Sequence, residues 1–174
     1  MISFESDRLS LKELTVENVS ANYISWLNDN EINQYLESRF HKHSFADVEK
    51  FVKDMSQESS NVLLGIFIKK NMKHIGNIRI GPIDRNHNTA SIGLLIGDKD
   101  EWGKGYVSEA IQSVTKFSFE KLNLIKISAS CYESNIGSKK AFEKSGYKIE
   151  GFLHNHVETQ RGREGCWQLW IDSC

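Results

Sequence analysis

No stretch of this sequence reaches the roughly 18 apolar residues that a bilayer-spanning helix requires, and Met1 to Leu14 has no cationic segment followed by an apolar core. Neither a membrane span nor a secretory leader is expected, and a cytoplasmic location is. Positive charge is not in surplus either. Twenty-two Lys and Arg stand against 23 Asp and Glu, for a formal charge of -1, and the basic residues are scattered. A nucleic-acid backbone as primary ligand would demand a basic stripe, so any anion site must be local. Cysteine is sparse and odd in number, with Cys131, Cys166 and Cys174 lacking paired spacing. Reduced thiols are expected rather than a disulfide framework or a zinc site. The pairs His41 with His43 and His154 with His156 lack a third ligand at a fitting spacing, so no metal is expected. Repeats, low-complexity stretches and linker-like shifts in composition are missing as well.

What is present is enough for one domain over residues 1–174: 39% hydrophobic residues and four Trp can bury a core without covalent staples. Arg8 to Leu14 alternates as a first strand. Thr15, Glu17 and Asn18 open a helical region carrying Val19, Tyr23, Trp26 and Leu27, which a turn at Asn28 to Asn30 divides from Ile32 to Leu36. Ser44 precedes Asp47 by three and leads Phe45, Val48, Phe51 and Val52, an N-cap followed by helical spacing. Asn61 to Lys69 and Lys73 to Ile80 read as a hairpin, and Pro82 to Asn88 turns the chain into a strand at Thr89 to Ile96. Ile125 to Cys131 is β-rich, and Tyr147 to Glu158 and Glu164 to Asp172 are strands joined by a turn at Gln160 to Arg163. A central β-α-β-α run flanked by hairpins is an α+β arrangement, neither doubly wound nor a sandwich.

The most informative segment is Asp98 to Ala110, DKDEWGKGYVSEA. It joins the apolar strand to a helix in which Val107, Ala110, Ile111, Val114 and Phe117 recur at helical spacing. Gly103 and Gly105 permit a tight turn and leave no side chain over the amides, so several N–H groups at a helix start can point at one anion. That describes a pyrophosphate seat. About thirty residues on, Asn135-Ile-Gly-Ser138 opens a second helix that ends at Gly146-Tyr147.

In order and spacing these two segments resemble the GNAT superfamily of acyl-CoA-dependent N-acyltransferases. The branch containing the ribosomal-protein alanine and serine acetyltransferases is most similar, through W-G-K-G-Y-x-x-E-A and N-x-x-S-x-x-x-x-E-K-x-G-Y. The opening R-L-x-L at Arg8 to Leu11, Trp26 and the pair Tyr35-Leu36 extend the likeness over the chain. It implies a GNAT fold, with a mixed sheet of about seven strands flanked by helices and splayed where acetyl-CoA binds as acyl donor. The splayed strands would be Ser91 to Ile96 and Lys126 to Cys131. Leu94, Leu95 and Ile96 would pair with the pantetheine arm, and Trp102, Gly103, Lys104, Gly105, Tyr106 and Val107 would hold the pyrophosphate, with Trp102 shaping the loop. Val107 replaces the usual Gly or Ala, which sets the helix slightly farther from the phosphates. Asn135, Ser138 and Phe142 would complete the cofactor site.

The implied reaction is attack of a neutral amine on a thioester carbonyl, with loss of a thiolate. Many relatives protonate that thiolate with a Tyr at the position of Phe142, and a phenyl ring cannot donate. Ser138 is therefore the candidate donor, with Asn135 fixing the cofactor arm or nearby backbone. Glu37, Glu101, Glu133 or a water path would accept the amine proton. Asn28, Glu37, Arg39 and His43, with Arg161, would line the acceptor site between the N-terminal helices and the Gln160 to Arg163 turn. Protein N-termini and amino groups of nucleotide-linked sugars are the two expected acceptors. A polyamine fits less well, because no dense acidic patch is visible. A monomer or homodimer is expected, and the alternative to an enzyme is a non-catalytic acyl-CoA-binding sensor or assembly module.

Overall fold

The structure, a computed structural model, describes residues 1–173. Eight strands form its sheet: β1 (Ser3–Glu5), β2 (Leu9–Glu13), β3 (Val62–Ile68), β4 (Lys73–Ile80), β5 (Thr89–Ile96), β6 (Lys126–Tyr132), β7 (Lys148–Thr159) and β8 (Gly162–Asp172). They lie in the order β1-β2-β3-β4-β5-β6-β8-β7, and β5 with β6 is the one parallel pair among the described residues. The sheet thus has eight strands where about seven were expected. The additional one is β1, three residues long, which pairs with β2 and stacks Phe4 on Phe117 at 4.5 Å.

Five α-helices flank the sheet: α1 (Ala21–Asn28), α2 (Asn30–Asn33), α3 (Phe45–Gln57), α4 (Tyr106–Glu120) and α5 (Ile136–Lys144). Strand alternation sends residues to two cores. Ile78, Ile80, Ile92 and Ile127 meet Ala110, Ile111 and Val114 of α4 and Phe142 of α5, whereas Leu63 and Phe67 meet Tyr23 and Trp26 of α1 and Val48 and Val52 of α3. Ile111 and Val114 are fully buried, a gain of about 1.5–3 kcal/mol for each.

The helix starts follow local chemistry. Ser44 is the N-cap expected of α3 and forms a capping box with Asp47. Thr15 heads only a 3-10 turn at Val16–Asn18, and Ser20 caps α1 by accepting from the Tyr23 amide. Gly97 then admits α1 to the end of β5, since a Cβ there would lie 2.0 Å from the Trp26 ring. Trp26, Tyr23 and Phe67 surround the His74 ring, whose Nε2 lies 2.8 Å from Asn77 Oδ1. This apolar box holds the His74 pKa below its ordinary value, mainly through burial.

On the face that α1 and α3 cover, the sheet is open at Gly93 and Ser130, which are exposed. The end of β5, the start of α4 and this open face meet at one place.

Candidate functional site

β5 and β6 pair only from Thr89 with Lys126 to Ile92 with Ala129. Both strands run on, β5 to Ile96 and β6 to Tyr132, and both are held from outside. β4 pairs with β5 as far as Gly76 with Ile96, and β8 pairs with β6 as far as Tyr132 with Cys166. The inner edges of 93–96 and 130–132 therefore have no strand partner. Ser91 O accepts from Gly81 N, and Gly97 N donates to Ile75 O, so odd-numbered residues of β5 turn their main chain to β4. Ala90 O, 3.4 Å from Ser128 Oγ, faces β6. By the same alternation Leu94 and Ile96 present main-chain groups to the gap, whereas Leu95 turns its own away to β4 and packs its side chain beside α1 and α3.

The glycine loop sits at the end of this gap. A 3-10 turn at Lys99–Glu101 is capped by Asp98, and Trp102 Nε1 donates to Ile96 O at 2.9 Å, bracing the loop against β5. Gly103 and Gly105 adopt φ of 73° and 83°, a left-handed conformation that strains any residue with a Cβ. Gly105 is the N-cap of α4 and supplies no side-chain cap, so the first amides of the helix keep their donors for another acceptor. Lys104 does not stand free. Its Nζ lies 2.8 Å from Glu101 Oε2, and Lys73 joins Asp98 at 2.7 Å and Glu101 at 3.0 Å. Hydrogen bonds from Lys104 and then Lys73 hold the Glu101 carboxyl below its usual range, so Glu101 braces the loop.

Arg8 and Glu109 support the same loop from the other side, and neither was singled out for this from the sequence. Arg8 Nε donates to Glu109 Oε2 at 2.7 Å, its Nη1 donates to Lys104 O at 2.9 Å, and its guanidinium lies 4.5 Å from the Tyr106 ring centre. Glu109 also accepts from Ser6 Oγ and the Arg8 amide. Burial alone would raise the Glu109 carboxyl, but these hydrogen bonds outweigh it and hold the pKa below its ordinary value. The spacing of Arg8 and Glu109, 101 residues apart, left no local signal of the pair. Val107 and Tyr106 pack against the larger core.

At the start of α5, Asn135 Oδ1 accepts from the Ser138 amide at 3.2 Å. Asn135 is therefore the cap, and the hydroxyl of the half-buried Ser138 has no hydrogen-bond partner among the described residues. Phe142 is 2% exposed and meets Tyr147 edge to face at 4.9 Å, within the core.

The residues expected to line the acceptor side come together with Tyr132, which was missed because the β-rich run was read as ending at Cys131. The Tyr132 hydroxyl donates to Glu37 and accepts from Arg39 Nη1 at 2.8 Å. Burial, followed by the Glu37 carboxylate, pushes the phenol up to about 12, so it remains a donor. Arg39 further donates to Leu36 O and Glu158 O and acts as a strut between β6 and β7. Asn28 exchanges hydrogen bonds with the His43 backbone, and His43 Nε2 meets Ser38 O at 2.9 Å. The side chains of Asn28, Arg39 and His43 are thus already engaged within the protein, while Glu37 is exposed. Glu133 accepts from the Gly165 amide, and Arg161 is exposed on the far turn.

Unpaired strand edges, uncapped amides and two left-handed glycines fit an extended ligand with an amide arm and a terminal anion. The site is a slot rather than a cavity. Two hollows of about 410 and 680 Å³ lie elsewhere, beside Thr115 and Lys116 on α4 and beside Ala46 and Lys50 on α3. Among the described residues no group of three or more His, Cys, Asp or Glu could hold a metal ion, and no helix is long and apolar enough to cross a membrane.

Comparison with known proteins agrees with this geometry. Residues 8–148 match the acetyltransferase (GNAT) domain family. An uncharacterized N-acetyltransferase p20 of Bacillus licheniformis is 30% identical over 165 residues, which span 94% of this chain and 91% of that protein. The crystal structure of spermidine N-acetyltransferase from Vibrio cholerae with CoA and spermine superposes with a TM-score of 0.85 at 20% identity, covering 96% of each chain. RimL, a ribosomal L7/L12 alpha-N-protein acetyltransferase in complex with CoA, superposes with a TM-score of 0.85 at 17% identity, covering 96% of this chain and 95% of its own. At these identities the two structures speak for the fold alone.

Proposed function

Given that this chain belongs to the acetyltransferase (GNAT) family and is an N-acetyltransferase, we propose that it transfers the acetyl group of acetyl-CoA directly to a primary amine seated on the open face of the sheet beside Gly93. The observation that carries this reading is the end of β5–β6 pairing at Ile92 with Ala129, with the glycine loop at the end of the same strand. Acetyl-CoA supplies the activated acyl carbon and a thiolate leaving group.

The chain's own residues then have separable tasks. The amides that open α4, from Tyr106 and Val107, hold the pyrophosphate, with Trp102, Gly103, Lys104 and Gly105 fixing the loop. Leu94 and Ile96 hold the pantetheine arm along β5, and Leu95 packs behind them. The Leu94 amide faces the gap and stabilises negative charge growing on the carbonyl oxygen. Asn135 sets the start of α5, and Phe142 fixes that helix in the core. As the nitrogen–carbon bond forms, the amine proton passes to Glu37, the exposed carboxylate oriented by Tyr132. As the carbon–sulfur bond breaks, Ser138 Oγ gives its proton to the departing sulfur. Asn28, Arg39 and His43 shape the wall of the acceptor side. A binding-only module would have no use for a free hydroxyl at Ser138 and an exposed carboxylate at Glu37.

The acceptor is a protein N-terminus or an amino group of a nucleotide-linked sugar. Release of free thiol from acetyl-CoA over a panel of N-terminal Ser and Ala peptides, amino-sugar nucleotides and polyamines tests this. Turnover confined to one of the first two classes supports the reading, and turnover confined to polyamines overturns it.

A further inference from the structure

The open face of the sheet contains a trough that the acetyl-transfer scheme leaves without a role. Side chains on one face of neighbouring strands form rows, and one row runs through Leu63, Arg79 and Gly93 by the pairings of β3, β4 and β5. Across the gap it continues to Ser130, which follows the last paired residue of β6, and to Gln168 on β8. Gly93 is exposed although its strand is central, and a Cβ built on it would meet nothing within 4 Å. Ser130 Oγ donates to Gln168 Oε1 at 2.7 Å on the opposite bank.

Arg79 stands half-buried at the near bank. Arg8 pairs with Glu109, Arg39 with Tyr132 and the Glu158 carbonyl, Arg85 with the Leu122 carbonyl and Arg163 with the Asn155 carbonyl. The Arg79 guanidinium makes no hydrogen bond, ion pair or ring contact among the described residues. Such a group carries five donors in a fixed fork and cannot shed its charge. Its nitrogens are open to solvent and free of protein acceptors, and a phosphate or carboxylate would supply two parallel, charge-assisted acceptors. No Asp or Glu occupies its row or the adjoining row of Ser91, Ser128 and Trp170. Glu150, at the β7 bulge beside Gln168, is held by Lys126, and Glu37 lies at the Tyr132 end, where the amine would lose its proton.

We infer that this trough seats the anionic part of the acceptor, so that the substrate is an amine whose carrier bears a phosphate or carboxylate. The inference rests on the acetyl-transfer reading and narrows its acceptor. Arg79 is one strand, about 4.8 Å, from Gly93 at the edge of the gap. An anion bound there leaves a short polar spacer to reach the amine, over the Ser130 and Gln168 floor. A polyamine would place a cation against a guanidinium with nothing between them.

The test uses matched acceptors at saturating acetyl-CoA: UDP-glucosamine and glucosamine 6-phosphate against glucosamine, and glycine against glycinamide, with spermidine as the cationic control. The charged member of the sugar set or of the glycine pair is expected to have a KM about 10 to 100 times lower, and which set responds identifies phosphate or carboxylate. Arg79→Gln is expected to erase that ratio, and Arg79→Lys to restore part of it. Equal KM within every set, or a ratio that survives Arg79→Gln, overturns the inference. If neither these amines nor the N-terminal Ser and Ala peptides are acetylated the transfer reading fails. Calorimetry of UDP-glucosamine and glycine with the CoA-saturated protein then decides the trough separately. Binding that Arg79→Gln abolishes supports it, and no binding of either probe overturns it.

Discussion

Ser138 and Asn135 lie three residues apart at one helix start, yet the structure gives them separable tasks. Asn135→Ala removes the acceptor of the Ser138 amide, whereas Ser138→Ala removes a hydroxyl with no partner among the described residues. A lost N-cap costs about 1 kcal/mol, which in a domain of this size lowers Tm by about 2–4 °C. A lost general acid costs about 10² to 10⁴ in kcat, or about 2.7–5.4 kcal/mol at 1.36 kcal/mol per tenfold. Ser138→Ala is therefore expected to lose turnover with its melt nearly unchanged, and Asn135→Ala to lose Tm at once. Phe142→Tyr is not expected to rescue Ser138→Ala, since position 142 is buried against Tyr147 and a hydroxyl there would be desolvated without a partner. Thiol release from acetyl-CoA and a thermal melt on each variant measure both quantities. Normal kcat in Ser138→Ala, or a Tm loss as large as that of Asn135→Ala, refutes the reasoning.

Acetyl-CoA at about 100 times its Kd is expected to add about 2.7 kcal/mol, or roughly 5–10 °C in Tm, and Gly105→Val to abolish that shift because φ of 83° and the open amides both exclude a β-branched residue. An unchanged shift in Gly105→Val places the anion elsewhere. Glu109→Gln is expected to lower Tm at pH 7 by about 4–8 °C, from about 2 kcal/mol of charge-assisted hydrogen bonding to Ser6 and Arg8. The folded Glu109 pKa is depressed, so its stabilisation is full above the unfolded value of about 4.3 and fades as pH falls through the folded one; melts of the two proteins should converge at low pH. Gly76→Ala is expected to weaken acetyl-CoA binding more than tenfold in protein that is still folded, because its Cβ would lie 2.1 Å from Leu95 O and push β5 into the gap. Parental affinity in Gly76→Ala, read by titration below its melting range, contradicts that.

The sequence disclosed what local pattern can carry. The glycine loop, the helix spacing of Val107 to Phe117 and the hairpin strands need only neighbours a few residues away, and each lies where it was expected. β1 escaped because three residues have no period to read; its stability comes from pairing with β2 and from Phe117 of α4. The internal hydrogen bonds of Asn28, Arg39 and His43 escaped for a different reason. Their residue types suit ligand contact equally well, and only folding reveals that Asn28 engages the His43 backbone, Arg39 engages Tyr132 and Glu158, and the His43 ring engages the Ser38 carbonyl. Arg79 is the converse: in a hairpin read from two β-rich runs it looks like any solvent-facing cation, and its lack of a partner among the described residues emerges only when Gly93 and the open gap lie beside it.

That gap is stable because its two walls are fixed independently of each other. Leu94 and Leu95 pack into different cores on opposite faces of the sheet, so β5 cannot rotate or slide to recover hydrogen bonds without emptying one of them. β6 is tied along its whole length to β8, ending at Tyr132 with Cys166, and Tyr132 is anchored in turn by Glu37 and Arg39. Trp102 satisfies the Ile96 carbonyl, one of the groups that splaying would otherwise leave bare. The remaining edge groups near Leu94 and Ser130 each gain by meeting a partner, since an unmade backbone hydrogen bond costs about 1–3 kcal/mol where water is excluded. An amide-bearing arm laid along β5 offers such a partner. Gly93 keeps the adjoining face clear, so on the proposed reading the same break in pairing prepares both seats, one along the strand edge and one across the sheet.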